Sequence, residues 1–317
     1  MSTLRRLLTV TALGVAAGMM FSAAAGAAEK LPVVASFSIL GDIVGRVGGD
    51  RIAVSTLVGP DQDAHVYQPT PDDIKKVAQA RLVVVNGLGF EGWLERLTRS
   101  ANYKGEIVVA SKGIATREMV DENQSGNEGG NESGHKHEHA GHTDPHAWQN
   151  PVNVISYTRN IAAALSKLDP AGAAIYKKNG DTYIDALKQL DSWVAAQIAT
   201  IAPAKRKIIT SHDAFNYFGA HYKIDFIAPQ GMSTDSEPSA REVAAMIRQM
   251  KKERIKAVFV ENMSSPKLLR QISREAGTEV GGKLYSDALS GPQGAAPDYL
   301  SMMRYNVEQI LDGLRKN

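Results

Sequence analysis

The chain has no cysteine among its 317 residues, which excludes disulfides, thiolate metal sites of the zinc-finger kind and a lipid anchor built on cysteine. It also lacks a strong charge of either sign, with 36 Lys and Arg facing 34 Asp and Glu. Without Arg5 and Arg6, which lie in an N-terminal leader, the balance is 34 against 34. Such a chain has no field suited to nucleic acid or to a membrane surface, and neither is expected as a partner. After the leader, no apolar run approaches the ~20 residues that a membrane span requires. An HExxH helix and a recognisable nucleophile motif are absent too, which leaves hydrolytic chemistry without its usual signatures.

What is present starts with an address. Arg5 and Arg6 precede an apolar stretch over 7–21 and a small-residue run over 23–28, the pattern of a secretory signal peptide cleaved near Ala27 or Ala28. About 290 residues remain, enough for two domains, and the expected location is the periplasm in soluble form.

From Pro32 onward, short β-branched runs alternate with amphipathic stretches. Strands are predicted at 33–37, 51–58, 82–85 and 107–110, with helices at 38–47, from Pro71 and at 90–101. Thr70 is the expected cap of the second helix, and Asp72 and Asp73 suit its first turn. After Pro203 the alternation returns, with strands at 207–210, 224–228, 257–261 and 283–286 and helices at 213–220, 240–253, 266–276 and 297–314. Between the halves, Tyr183, Leu187, Leu190, Val194 and Ile198 recur every three or four residues in a stretch that opens at Asp169-Pro170. About 31 helical residues there would span roughly 46 Å, with Gly180 weakening the middle by about 1 kcal/mol relative to Ala and permitting a bend.

The fold class that follows is α/β, two lobes each with a mostly parallel sheet flanked by helices, joined by one long backbone helix. The boundaries are a leader at 1–28, an N-terminal lobe at 29–168, a linking helix at 169–201 and a C-terminal lobe at 202–317. A polar, Gly- and Asn-rich segment at 119–143 reads as a surface loop inside the first lobe.

Four metal-binding residue types sit at strand ends or in the loops after them: His65, His146, His212 and Asp287. Three imidazoles and one carboxylate complete a tetrahedral zinc shell and leave no position for a nucleophilic water, which suits capture and release better than catalysis. They lie 81, 66 and 75 residues apart, so only the whole fold can bring them together. In open α/β sheets the carboxyl ends of parallel strands are where loops converge on a ligand. Glu261 ends a predicted strand and is a reserve ligand or a partner that orients an imidazole; Asp213 is a second candidate for that supporting role. Asp144, before a proline, is read as shaping a turn and His221 as structural. The loop histidines His135, His137, His139 and His142 form a candidate auxiliary zinc-gathering tract.

The segments Asp63-Ala-His65, Asp144-Pro-His146-Ala-Trp148, Thr210-Ser-His212-Asp-Ala-Phe-Asn-Tyr-Phe218 and Leu284-Tyr-Ser-Asp287, in this order around a long helix, resemble the metal-binding solute receptors of ABC transporters. The resemblance is to the ZnuA, TroA and AztC group, most of all the AztC type, and covers essentially the whole mature chain. It implies Zn²⁺ held between two lobes and delivered to an inner-membrane ABC permease driven by a cytoplasmic ATPase. Manganese members of the group carry Glu where His212 stands, and imidazole there favours zinc. AztC-type receptors also imply a periplasmic zinc metallochaperone as a partner. The expected protein is thus a monomeric, non-enzymatic zinc receptor; its rivals are a three-histidine zinc hydrolase with Asp287 or Glu261 as general base, and a periplasmic zinc buffer or adhesin.

Overall fold

The computed structural model describes residues 29–119, 142–231, 234 and 237–317. Its first sheet grows from the Val-rich runs: β1 (Leu31–Phe37), α1 (Ser38–Gly48), β2 (Ile52–Val58), α2 (Pro71–Gln79), β3 (Leu82–Val85), α3 (Leu94–Ser100) and β4 (Glu106–Val109). The strands are all parallel in the order β2-β1-β3-β4. β3 is buried at every residue, as an unbroken Leu-Val-Val-Val run covered on both faces demands. Thr70 caps α2 by accepting from the Asp73 N–H, and Asp73 reaches back to the Thr70 N–H.

A short antiparallel pair, β5 (Glu118–Met119) and β6 (His142–Thr143), leads to α4 (Pro151–Leu168) and α5 (Ala173–Ala199). The second lobe then runs β7 (Lys207–Ile209), α6 (Asn216–Tyr222), β8 (Asp225–Ile227), α7 (Ala240–Glu253), β9 (Val260–Glu261), α8 (Lys267–Ala276), β10 (Lys283–Leu284) and α9 (Tyr299–Leu314). β7 pairs with β8 and β9 with β10, all parallel, and a parallel bridge between Ile209 and Val258 joins the pairs. The order is therefore β8-β7-β9-β10, the same winding as in the first lobe.

α5 packs against α4 and α1 on one side and α9 and α6 on the other, so one helix holds both lobes. Its buried stripe is Tyr176, Gly180, Tyr183, Ile184, Leu187, Leu190, Val194 and Ile198. The main core runs through α1, α4, α5 and α9, and a second lies under α7 and α8 around Met246, Met250, Ile255 and Leu269.

Several expected boundaries move, each for a local reason. The long helix has 27 residues, about 40 Å at ~1.5 Å per residue. Asp169 commits its side chain to a 3₁₀ turn over Pro170–Gly172 before the α-helix starts. The helix runs unbroken through Gly180, where an added Cβ would meet only Ala162 and Thr158 at ordinary contact distance. The helix expected at 90–101 starts at Leu94. Gly87, Leu88 and Gly89 all have positive φ and fold Glu91 back onto the amides of Asn86 and Gly87. The helix expected at 213–220 is Asn216–Tyr222, because the Ala214 N–H turns back to the His212 carbonyl. The expected loop at 119–143 is closed at its base by β5 and β6. His135, His137 and His139 lie outside the described residues, and His142 is placed only by its backbone in β6.

Candidate metal centre

The four residues singled out by residue type and position converge. His65, His146, His212 and Asp287 each offer one donor atom, and these atoms all lie within 4.8 Å of one another. The Nε2 of His65 is 3.3 Å from that of His146 and 3.2 Å from Asp287 Oδ2. His212 Nε2 is 3.1 Å from Asp287 Oδ2, and His146 Nε2 is 3.7 Å from Asp287 Oδ1. A tetrahedral ion with bonds of ~2.0–2.1 Å has donor–donor edges of roughly 3.3–3.4 Å, and these four separations of 3.1–3.7 Å lie near that value. Both Asp287 oxygens and His212 Nε2 are buried and have no hydrogen-bond partner. The carboxylate faces only imidazole nitrogens, and a cation among these donors would satisfy their lone pairs together. Asp287 thus faces the three imidazoles with both carboxylate oxygens buried.

Each ligand is placed by a different element. His212 follows β7 directly and forms a bridge with Gln230 in the loop after β8. Asp287 follows β10 in the same way. His146 precedes the 3₁₀ turn Ala147–Gln149 at the mouth of α4, and His65 sits in the irregular segment between β2 and α2.

Two imidazoles are oriented by carboxylates. Glu261, at the end of β9, lies 2.5 Å from His212 Nδ1 through Oε2. Its Oε1 accepts the N–H groups of Ser211 at 2.8 Å and His212 at 3.0 Å, and the Ser286 hydroxyl donates to Oε2 at 2.6 Å. It lies beside His212 and spans the ends of three strands. Asp144 shapes the turn as expected, accepting the His146 N–H at 2.9 Å, and also lies 2.8 Å from His146 Nδ1. At His146, a proton kept on Nδ1 by Asp144 leaves the Nε2 lone pair facing the centre. Burial opposes a charge on His212, but Glu261 and Asp287 outweigh it and raise the imidazole well above its ordinary range. Burial likewise opposes charge on Asp287, while His212 and His146 hold that carboxyl well below its ordinary range. Asp213 ties its backbone N–H to the Gly231 carbonyl at 3.1 Å. His221 is structural, bonded to Asp191 on α5 at 2.8 Å.

Sequence reasoning misses the groups that stitch the His146 segment to the second lobe. Trp148 Nε1 and Gln149 Nε2 both donate to the Ser286 carbonyl, at 2.9 and 2.7 Å. Tyr217 on α6 donates to the Asp144 carbonyl, and Tyr299 on α9 to that of Trp148. Within the first lobe, Asn86 donates to the Pro145 carbonyl and accepts from Tyr157. The adjacency of Trp148 to the Asp-Pro-His motif, and of Tyr217 to the Thr-Ser-His motif, is the signal that could have found them.

Comparison with known proteins agrees in family and divides on metal. Residues 33–313 match the family described as ZnuA, zinc-uptake complex component A, periplasmic. The chain is 31% identical over 286 residues to the manganese-binding lipoprotein MntA of Halalkalibacterium halodurans, covering 90% of this chain and 89% of that one. It is 32% identical over 286 residues to the iron-binding protein YfeA of Yersinia pestis, with coverage of 90% and 87%. Among solved structures, the Mn-bound periplasmic metal binding protein from candidatus liberibacter asiaticus superposes with a TM-score of 0.77 at 31% identity, covering 90% of this chain and all of that one. The periplasmic zinc binding protein TroA of Treponema pallidum has a TM-score of 0.79 at 24% identity, with coverage of 90% and 99%, and shares the fold.

Proposed function

The chain belongs to the ZnuA family of periplasmic metal-uptake components, and from that premise we propose that it is a zinc receptor which captures Zn²⁺ between its lobes and passes it to an inner-membrane ABC importer. The carrying observation is the donor set: three buried or nearly buried Nε2 atoms and one unpartnered carboxylate at tetrahedral spacing. Imidazole-rich sites suit zinc, whereas manganese prefers more oxygen donors and higher coordination. The relatives named above are binding proteins, not hydrolases, and the four donors leave no protein-free vertex for an activated water.

Manganese is the rival cargo. It is favoured by the manganese-binding relative MntA and by Asp287, whose two oxygens together could add a fifth donor. Native mass spectrometry of protein purified without added metal, followed by competition between Zn²⁺ and Mn²⁺, separates the two. One zinc per chain that excess manganese fails to displace supports the proposal; preferential retention of manganese rejects it. Transporter-dependent zinc accumulation that requires this protein distinguishes a receptor from a buffer or adhesin.

We further propose that it works as a freely diffusing monomer, in keeping with the cysteine-free sequence, and that it accepts zinc from a periplasmic metallochaperone. Among the described residues no helix is long and apolar enough to cross a membrane. The leader at 1–28 lies outside the described residues. Sedimentation at micromolar concentration tests the oligomeric state, and direct zinc transfer between the two purified proteins tests the chaperone.

A further inference from the structure

The four donors are not equally shielded. The side chains of His146, His212 and Asp287 are 0% exposed, while that of His65 is 7% exposed. His65 also forms part of the wall of an open surface cavity of about 250 Å³, together with Val66, Tyr67, Gln68, Gly92, Trp93 and Arg96. The other three ligands do not line this cavity. Among the described residues no carboxylate grips the second ring nitrogen of His65, in contrast to His146 and His212. Its hold is indirect: its N–H donates to Asp63, and Trp93 Nε1 donates to the carbonyl of the preceding Ala64 at 2.9 Å.

Resting on the metal-site reading above, we propose that this cavity is the port through which the cation exchanges, with His65 the last ligand to close on it and the first to let go. A buried ion leaves by way of the ligand whose release costs least. His65 is the donor nearest water, on irregular backbone, with no carboxylate on its second ring nitrogen among the described residues. The rim of the port is cationic, since Arg96 is bonded at 3.4 Å to the neutral Gln68 and has no carboxylate partner among the described residues. An arriving dication therefore passes a like charge, which gives the route an electrostatic signature.

The port can be blocked without touching a ligand. Gly92 lines the cavity, and a Cβ built on it meets nothing within 4 Å. Gly92→Trp should fill the cavity while leaving both the free and the loaded site intact. Obstruction of a route raises one barrier shared by both directions, so stopped-flow measurements with zinc and a chelator should show association and dissociation slowed together. We expect about tenfold in each, the effect of ~1.4 kcal/mol on one barrier, with Kd unchanged. Arg96→Glu should accelerate association at low ionic strength and lose that advantage in high salt. If Gly92→Trp lowers the thermal midpoint of the metal-free protein, Val66→Trp, at a 45% exposed position on the same wall, is read instead. Folded variants with wild-type Kd and wild-type rates overturn the port, as does a change in Kd carried by one rate alone. Wild-type protein that binds no metal overturns the receptor reading itself, and is thereby distinguishable.

Discussion

Three of the four candidate ligands belong to a locked region, and the fourth belongs to a looser one. His146, His212 and Asp287 are joined through Asp144, Glu261 and the Ser286 carbonyl, all fully or almost fully buried. His65 rides on the segment between β2 and α2, tied across the cleft by Asp61 N–H to Leu289, by Asn262 to Asp61 at 2.8 Å and by Thr234 to Asp63 at 2.6 Å. The contrast teaches how a receptor can combine tight capture with release. On the reading proposed above, the three-donor cradle fixes the geometry and a single peripheral donor controls the exchange.

The largest expected effect removes a cradle ligand. His212→Ala should weaken zinc binding by more than about 100-fold, because loss of an orienting partner alone costs 10–100-fold. It should also destabilise the metal-free fold, since Glu261 is left buried with its imidazole partner gone. His65→Ala should weaken binding less and leave the metal-free thermal midpoint unchanged. Chelator competition paired with thermal unfolding checks both, and equal losses in the two variants would erase the distinction between the regions.

Next in size is the orienting carboxylate. Glu261→Gln should reduce affinity roughly 10–100-fold. It should cost the fold about 1–3 kcal/mol as well, because the amide cannot serve all the donors that the carboxylate now accepts. Asp144→Asn should lose affinity with a smaller loss of stability, as it supports only its own turn and ring.

Protons give a third, intermediate test. With His212 raised by Glu261 and Asp287, the metal-free imidazole keeps its proton above the ordinary range, and zinc must displace it. Affinity should therefore still be rising with pH above ~6.5, with proton release measurable by calorimetry in buffers of different ionisation enthalpy. The same raised value makes His212 contribute to metal-free stability at low pH, a contribution lost as pH rises through the folded-state value. For Asp287 the sign reverses: its depressed value contributes above the ordinary carboxylate range and is lost as pH falls through the folded-state value. A binding curve flat from pH 6 to 8 would contradict a coupled His212.

The smallest effect sharpens the looser side. Asn262→Ala removes one tie on the His65 segment; it should raise the zinc off-rate a few-fold and lower metal-free stability by no more than about 0.5–1.5 kcal/mol.

Much of the fold and of the metal centre is legible in the amino-acid sequence. The periodicity of Tyr183 to Ile198 marks the linking helix because a buried stripe repeats with the helical turn, and Thr70 marks a cap because its hydroxyl suits an exposed amide. Glu261 is visible as a strand-end carboxylate. The second task of Asp144 is hidden, since a residue before proline accounts for a turn without any further role. Trp148, Gln149, Tyr217 and Asn86 escape sequence reasoning because their targets are backbone carbonyls distant along the chain, and a carbonyl leaves no trace in residue type. The helices expected at 90–101 and 213–220 start late because turns at 87–89 and 212–214 divert the backbone for the needs of the site.

Residue types and periods by themselves determined the α/β class, the long helix and the choice of four candidate donors, because burial patterns and metal chemistry are local properties of side chains. Only the tertiary structure decided which imidazoles are locked and which one borders water. Distances of a few ångströms between residues 66 to 81 positions apart are set by the packing of both lobes on α5, and no short-range pattern encodes them.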